Sequence, residues 1–205
     1  MKALLVIDMQ NGFCHPEGSL PRLGMGLAGN DAAVAAAATA VAHARRIGMP
    51  VVFTRHVYRP GYADQGPWLA ERTPDIAAAG GLRAGSWDGD VLDELGCGPD
   101  DLVVDKARLD AFQWTSLDPL LRGMGVTELV ACGVVTNFCV ETTVRSAIMR
   151  DLPVTLLHDC CAAQTPRLHE IGIEVMRDCG FAEVIGVAEF AGSDTAAGVL
   201  QEALL

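Results

Sequence analysis

The chain has 205 residues, half of them hydrophobic, with 26 acidic against 15 basic side chains and a formal charge of −11. Nucleic acid and anionic membrane both select basic surface, so this balance argues against either as a partner. No apolar run approaches the roughly 20 residues of a membrane span, and the length suits one domain over 1–205 with a sizeable core.

Taken in order, residues 2–8 form an apolar run ending in Asp8. Asp8 interrupts it too early for a secretion signal, so it reads as a first strand. Alanine-rich 31–47 reads as a helix stopped by Gly48 and Pro50. Pro50 to Thr54 is the second strand, followed by Arg55 and His56. Periodicity is then lost from 57 to 100, a stretch rich in Gly and Pro that holds Tyr58, Tyr62, Trp68 and Trp87. Long irregular segments in compact domains are usually functional, so 57–100 is expected to be a lid or pocket wall.

Asp101 to Lys106 is the third strand, and Thr115 or Ser116 caps a helix running to about Met124. Glu128 to Cys132 is the fourth strand, with its helix over 137–150. Pro153 to Leu157 is the fifth, ending at His158-Asp159-Cys160-Cys161. Thr165 opens a helix to about Arg177, Ala182 to Gly186 is a sixth strand, and 193–205 reads as a short, weakly specified helix. Apolar strands alternating with amphipathic helices imply parallel β-α-β units. The expected fold is a three-layer α-β-α sandwich, Rossmann-like, with a six-stranded parallel sheet covered on both faces. Ligands of such sheets bind outside the carboxyl ends of the strands.

The most informative stretch is Leu129 to Thr143. An apolar strand is broken by Gly133, Thr136 and Asn137 offer N-cap chemistry, and Val140, Val144, Ala147 and Ile148 follow at helical spacing. Cys139 is thereby expected in the first helical turn, where free N–H groups and the helix dipole favour a thiolate. The plain alternative is a buried structural cysteine. The seven cysteines (Cys14, Cys97, Cys132, Cys139, Cys160, Cys161, Cys179) form no C-x-x-C pair and no zinc spacing. Reduced thiols in a cytoplasmic protein are the expectation, and Cys160-Cys161 reads as packing.

Asp8 and Lys106 end strands on the same rim. The chain has thirteen Arg and only Lys2 and Lys106 as lysines, so a lysine at this strand end raises the question of what arginine could not do there. Separately, Asp8 is explicable as a turn residue and Lys106 as a surface charge. Together with Cys139 they form a sufficient set for amide hydrolysis through a thioester: a nucleophile, a carboxylate to carry its proton, and an ammonium to hold both. Backbone N–H groups of Val135 and Cys139 are candidates for the oxyanion hole.

Three motifs carry a resemblance: Leu5-Val6-Ile7-Asp8-Met9-Gln10-Asn11-Gly12-Phe13, then Lys106-Ala107-Arg108 with Asp110-Ala111-Phe112, then Gly133-Val134-Val135-Thr136-Asn137-Phe138-Cys139-Val140. In this order they resemble the isochorismatase-like cysteine hydrolases over about residues 2–187. The resemblance is to the branch acting on N-carbamoylsarcosine, ureidoacrylate and biuret. It implies Asp8, Lys106 and Cys139 as a catalytic triad and a cis peptide at Val134–Val135 that turns the Val135 N–H toward the oxyanion.

Nicotinamidases of that group carry a metal site built from an Asp and two His after the second strand. Here Arg55-His56-Val57-Tyr58-Arg59-Pro60 offers one His and no carboxylate, so neither metal nor cofactor is expected. Members that cleave isochorismate lack the nucleophilic cysteine, which leaves a vinyl-ether hydrolase, or a silent binding member of the fold, as alternatives to a C–N hydrolase acting on a small amide, ureido or carbamoyl compound. Candidate pocket residues are Phe13, His56, Trp68, Arg108, Phe112 and Thr136. A lone His is more often a hydrogen-bonded wall residue than a ligand, and Arg108 fits either a substrate carboxylate or an ion pair. The expected partner is a small-molecule substrate, and relatives suggest a homo-oligomer, a dimer or tetramer.

Overall fold

The structure is a computed structural model and describes residues 1–192; the helix expected over 193–205 lies outside the described residues. Strand β1 (Lys2–Ile7) is followed by two four-residue helices, α1 (Asn11–Cys14) and α2 (Ser19–Arg22). Both are too short to leave a periodic pattern in the sequence. The long helix α3 (Asn30–Arg46) leads to β2 (Val51–His56). Its buried face is Ala33, Ala37, Ala40 and Ala44, 0 to 2 % exposed, with Val34 and Val41 beside them. That face packs on β5 and the centre of the sheet. Methyl groups at these positions let helix and sheet approach closely, so a larger side chain at Ala40 would overpack the interface by about 1–3 kcal/mol. Gly48, at φ 71, ends the helix in the left-handed conformation that favours glycine.

The 57–100 segment contains α4 (Pro67–Arg72), α5 (Pro74–Ala78) and two 3₁₀ turns, Trp87–Gly89 and Asp93–Leu95. It is more ordered than its lack of periodicity suggests, because side chains of the first motif staple it down. Asn11 Nδ2 donates to Trp87 O at 2.8 Å, and Gln10 Nε2 donates to Gly89 O at 2.9 Å. Asp88 accepts from the Ser19 hydroxyl and from the N–H groups of Ser19 and Leu82.

Next come β3 (Leu102–Lys106), α6 (Leu117–Gly123), β4 (Glu128–Val134), α7 (Glu141–Ile148), β5 (Val154–Ala162), α8 (Pro166–Asp178) and β6 (Glu183–Ile185). Of the two proposed caps of α6, Thr115 makes the bond: its hydroxyl accepts from Leu117 N at 3.2 Å. Thr165 caps α8 by accepting from Leu168 N. Strand β5 is longer than expected and incorporates His158-Asp159-Cys160-Cys161. Its register against β4 shifts between Ala131 and Gly133, a bulge that lets the strand continue.

All six strands are parallel, in the order β3-β2-β1-β4-β5-β6. Ala3 to Ile7 of β1 are all at most 1 % exposed. Successive strand residues point to opposite faces, so both faces of the sheet are covered, as in an α/β sandwich. The connection order reverses between β1 and β4, which opens a crevice at their carboxyl ends.

Candidate active site

Asp8 follows β1 and lies in that crevice. Its backbone is left-handed, φ 54, uncommon for a residue other than glycine. The turn is held by Thr54 on β2, which accepts from Asp8 N through both its carbonyl and its hydroxyl at 3.2 Å. The same hydroxyl donates to Asp8 Oδ1 at 2.6 Å. Oδ2 is buried and has no hydrogen bond beyond its ion pair with Lys106, so a lone pair stays open.

Across the crevice β4 runs on through Gly133 instead of breaking there. At φ 131 a side chain is disfavoured, and a Cβ would collide with the backbone of Ile7. The Val134–Val135 peptide is cis. The chain then makes a single wide turn of π type, Thr136–Val140, before α7 starts at Glu141. Cys139 therefore sits in this turn, ahead of the helix. Neither Thr136 nor Asn137 caps it: the Thr136 hydroxyl bonds His169 Nδ1 at 2.9 Å, and Asn137 Oδ1 is buried without a partner.

Lys106, the last residue of β3, joins these elements. It is 2.6 Å from Asp8 Oδ2, 3.4 Å from Cys139 Sγ and 3.4 Å from His56 Nδ1, and donates to Arg108 O at 2.8 Å. Both side chains of the Asp8–Lys106 pair are fully buried. Breaking such a pair from one side costs about 3–5 kcal/mol, because a charge is left without compensation. Burial pulls the Lys106 pKa down, but the charges of Asp8 and Cys139 more than offset it and the net shift is upward. The lysine is an ammonium throughout the neutral range.

The thiolate expected at Cys139 is not the resting form. Burial pushes the thiol up to about 12 against the opposing pull of Lys106, with Asp8 adding to the rise. At neutral pH the thiol is therefore the dominant form. The helix-terminus argument fails because Cys139 precedes α7 and is only 2 % exposed. His56 is neutral: burial, then Lys106, then Arg108, hold its pKa well below the usual range. Its backbone is pinned by Gln10, which accepts from His56 N at 2.7 Å and donates to His56 O at 3.2 Å.

Ligand atoms of Asp8, His56 and Cys139 lie within 4.8 Å of one another, close enough to share a metal ion. The Lys106 ammonium already stands among the three, at 2.6 to 3.4 Å from each. A divalent ion would be driven into direct contact with that charge, so the donor set does not fit a resident metal.

A cleft of about 490 Å³ opens beside this cluster, with Tyr58, Lys106, Arg108, Gln113 and Trp114 among its walls. Cys139 is not on its wall; Lys106 is, 3.4 Å from the sulfur. Of the pocket candidates, His56 lies at the cluster and Phe13 packs edge-on against its ring, centroids 6.3 Å apart. Arg108 lines the cleft, but its Nη1 donates to the carbonyls of Asp64, Gln65 and Ala107, fastening the 57–100 segment to the end of β3. Among the described residues Arg108 is in no ion pair, and it stands on the wall of the cleft.

Three candidates are not on the cleft wall. Trp68 is half exposed beneath Arg72 on an adjoining groove that shares Arg108 with the cleft. Phe112 is buried under Arg150. Thr136 is fully buried, with its hydroxyl turned to His169. Motif residues Asp110 and Ala111 are pins: Asp110 accepts from Phe112 N and Ser146 Oγ, and Ala111 N donates to Thr143. Sequence reasoning missed Thr54, Gln10 and Trp114. Trp114 is 80 % exposed at φ 58, with Arg108 over its ring; an aromatic next to polar turn residues was its one available signal.

This fold and site place the chain among the α/β proteins that gather Asp, Lys and Cys at strand ends. The profile of the isochorismatase domain matches residues 2–189, and the chain belongs to that family. It is 34 % identical over 212 residues to the ureidoacrylate amidohydrolase RutB of Methylobacterium radiotolerans, covering 96 % of this chain and 79 % of that protein. The cysteine hydrolase of Pseudomonas syringae pv. phaseolicola superposes with a TM-score of 0.83 at 28 % identity, over 93 % of this chain and 90 % of the other. N-carbamoylsarcosine amidase of Thermoplasma acidophilum gives 0.70 at 27 % identity, over 91 % and 96 %.

Proposed function

We propose that this protein is a metal-independent amidohydrolase that cleaves a C–N bond of a small ureido or carbamoyl compound, with Cys139 as nucleophile. The observation that carries the reading is the buried Asp8–Lys106 pair 3.4 Å, through Nζ, from Cys139 Sγ, with Asp8 Oδ2 open to accept a proton. The ureidoacrylate and N-carbamoylsarcosine activities named for its relatives support the substrate class.

Because the resting sulfur is a thiol, attack and proton transfer are coupled. Sγ adds to the carbonyl carbon as its proton passes to Asp8, and the carbonyl oxygen takes the negative charge. The Val135 N–H, which has no acceptor among the described residues, and the Cys139 N–H stabilise that oxyanion. On collapse the C–N bond breaks, the departing nitrogen takes the proton from Asp8, and an S-acyl enzyme remains. Water then attacks the thioester, gives a proton to Asp8, and the sulfur leaves with that proton. Lys106 keeps its charge throughout and fixes the carboxylate and sulfur relative to each other.

No helix among the described residues is long and apolar enough to cross a membrane, and the seven cysteines are free, which suits a reducing cytoplasm. The test is ammonia or amine release from a panel of ureido acids, carbamoyl compounds and simple amides. Wild type should turn over ureido or carbamoyl members with chelator present, and Cys139→Ser should fall below about 1 % of that rate. Full activity of Cys139→Ser, or activity abolished by chelation and restored by a metal, would refute the reading.

A further inference from the structure

The hydrolytic cycle uses Asp8, Lys106 and Cys139, and leaves two buried polar side chains beside them without a role. His56 and Tyr58 are two residues apart at the end of β2, 3 % and 1 % exposed. His56 Nε2 and Tyr58 Oη are 2.8 Å apart, with the rings at 72° to each other. The direction of this hydrogen bond follows from a neighbour. Lys106 is an ammonium with three donors and no acceptor, and it faces His56 Nδ1 at 3.4 Å. The three donors of Lys106 also serve Asp8, Arg108 O and Cys139, whose Sγ is 3.9 Å from Nδ1. An N–H at Nδ1 would nonetheless point at the ammonium, so the neutral ring favours its lone pair there and its proton on Nε2. Nε2–H therefore donates and Tyr58 Oη accepts.

A phenol that accepts from one side still carries its own proton. Among the described residues His56 is the one hydrogen-bond partner of Tyr58 Oη, so that proton has no protein acceptor. Tyr58 lines the 490 Å³ cleft together with Lys106. Burial is also the main reason its pKa is raised, so the phenol stays protonated through the whole working range. A buried donor without a partner is costly unless a ligand or water supplies one.

We propose that Tyr58 is a substrate-binding residue whose hydroxyl donates to an oxygen of the bound compound other than the reacting carbonyl, the carboxylate of a ureido acid being the chemistry that fits. His56 is the positioning residue that holds the hydroxyl, and Lys106 sets the tautomer of His56. One lysine thus organises both ends of the site: nucleophile and carboxylate on one side, a substrate donor on the other. The inference rests on the amidohydrolase reading for its substrate and, for its tautomer chain, on the contacts of His56 with Lys106 and Tyr58 in the neutral ring.

The experiment has two readouts. In resting wild-type enzyme with ¹⁵N-labelled histidine, with His56 assigned by His56→Gln, the ring should be the neutral Nε2–H tautomer. An Nδ1–H tautomer or an imidazolium overturns the proposal whatever the enzyme hydrolyses. In turnover of N-carbamoylglycine and 3-ureidoacrylate, Tyr58→Phe should raise KM about tenfold or more while kcat stays within about twofold, the pattern of a contact made equally in ground and transition states. Unchanged KM, or a loss confined to kcat, overturns it. Inactivity of the wild type toward every probe counts against the hydrolytic reading instead, and the tautomer then decides the inference alone. A thermal melt of Tyr58→Phe shows that the changed KM is read on folded protein.

Discussion

Apart from Cys14 on α1, the molecule buries thiols in two places along the sheet, and the contrast between them explains what makes one reactive. Cys132, Cys160 and Cys161 lie on β4 and β5 in the middle of the sheet, with Asp159 as their charged neighbour. Cys139 lies at the crevice beside Lys106, Asp8 and His56. Burial raises the pKa in both groups, and Cys161 and Cys139 are each pushed to about 12. The resting pKa therefore does not separate a structural thiol from a catalytic one. The difference lies in the neighbours: Cys139 has an ammonium at 3.4 Å and an open carboxylate oxygen, whereas the other group has no cation among the groups acting on it and its carboxylate, Asp159, is held by the Val187 N–H through both oxygens.

Asp8→Asn should sharpen that contrast most. It removes the proton carrier and should lower kcat about 10²–10⁴-fold. It also leaves Lys106 as an uncompensated buried cation, so the midpoint of denaturant unfolding should drop by the equivalent of about 3–5 kcal/mol. Activity within tenfold of wild type would make Asp8 a structural partner of Lys106 and no more.

Lys106→Arg keeps the charge and changes its shape. A guanidinium cannot meet Asp8, Cys139 and His56 from one compact point, so we expect turnover to fall at least about tenfold, with lower stability. Near-normal rates would mean that charge alone suffices at this strand end.

Much of this was legible in the chain. Asp8 and Lys106 were identifiable because apolar strands end at them and because lysine is so rare here, and Cys139 because a strand, turn residues and helical spacing bracket it. The Thr165 cap announced α8 from its residue type. Other features depend on contacts far apart in sequence. Thr54 grips Asp8 from 46 residues away, and Gly133 is set by the backbone of Ile7, so a rule about strand-breaking glycines misjudged it. The thiolate expectation failed because a turn and nearly complete burial, both tertiary facts, outweighed the dipole of a helix that begins two residues later. Trp68 stands out as an aromatic of the aperiodic 57–100 segment and Phe112 as part of the second motif, and the fold sets one on a groove adjoining the cleft and the other under Arg150.

The pH dependence of stability tests the charge states. Lys106 and the buried thiols have native pKa values above their unfolded ones. Their contribution is complete below the unfolded values near 9–10 and is lost as pH rises beyond them. His56 is depressed, so its contribution is present above about pH 6.5 and is lost as pH falls below that toward its native value. Unfolding free energy should therefore be highest between about pH 6.5 and 9. A decline on the alkaline side that persists undiminished in Lys106→Met would remove Lys106 from this account.

The smallest effect belongs to the other thiol group. Cys132→Ser buries a hydroxyl among apolar neighbours and should cost about 1–3 kcal/mol of stability, with kcat unchanged at a temperature where the variant is folded. A catalytic defect there would erase the distinction between the two groups. Alkylation of resting protein at neutral pH should likewise mark exposed Cys179 first and leave buried Cys139 slow.

The central claim is that the carbonyl carbon is transferred to Cys139 Sγ. Rapid acid quench during turnover of N-carbamoylglycine in heavy-oxygen water, followed by peptide mass spectrometry, reads that bond directly. The account predicts a carbamoyl mass increment on the peptide carrying Cys139, free of heavy oxygen because it forms before water enters. The increment should be absent from Cys139→Ser and from the peptides carrying Cys132, Cys160 and Cys161. An increment on another thiol, or full turnover by Cys139→Ser with no adduct anywhere, would contradict it.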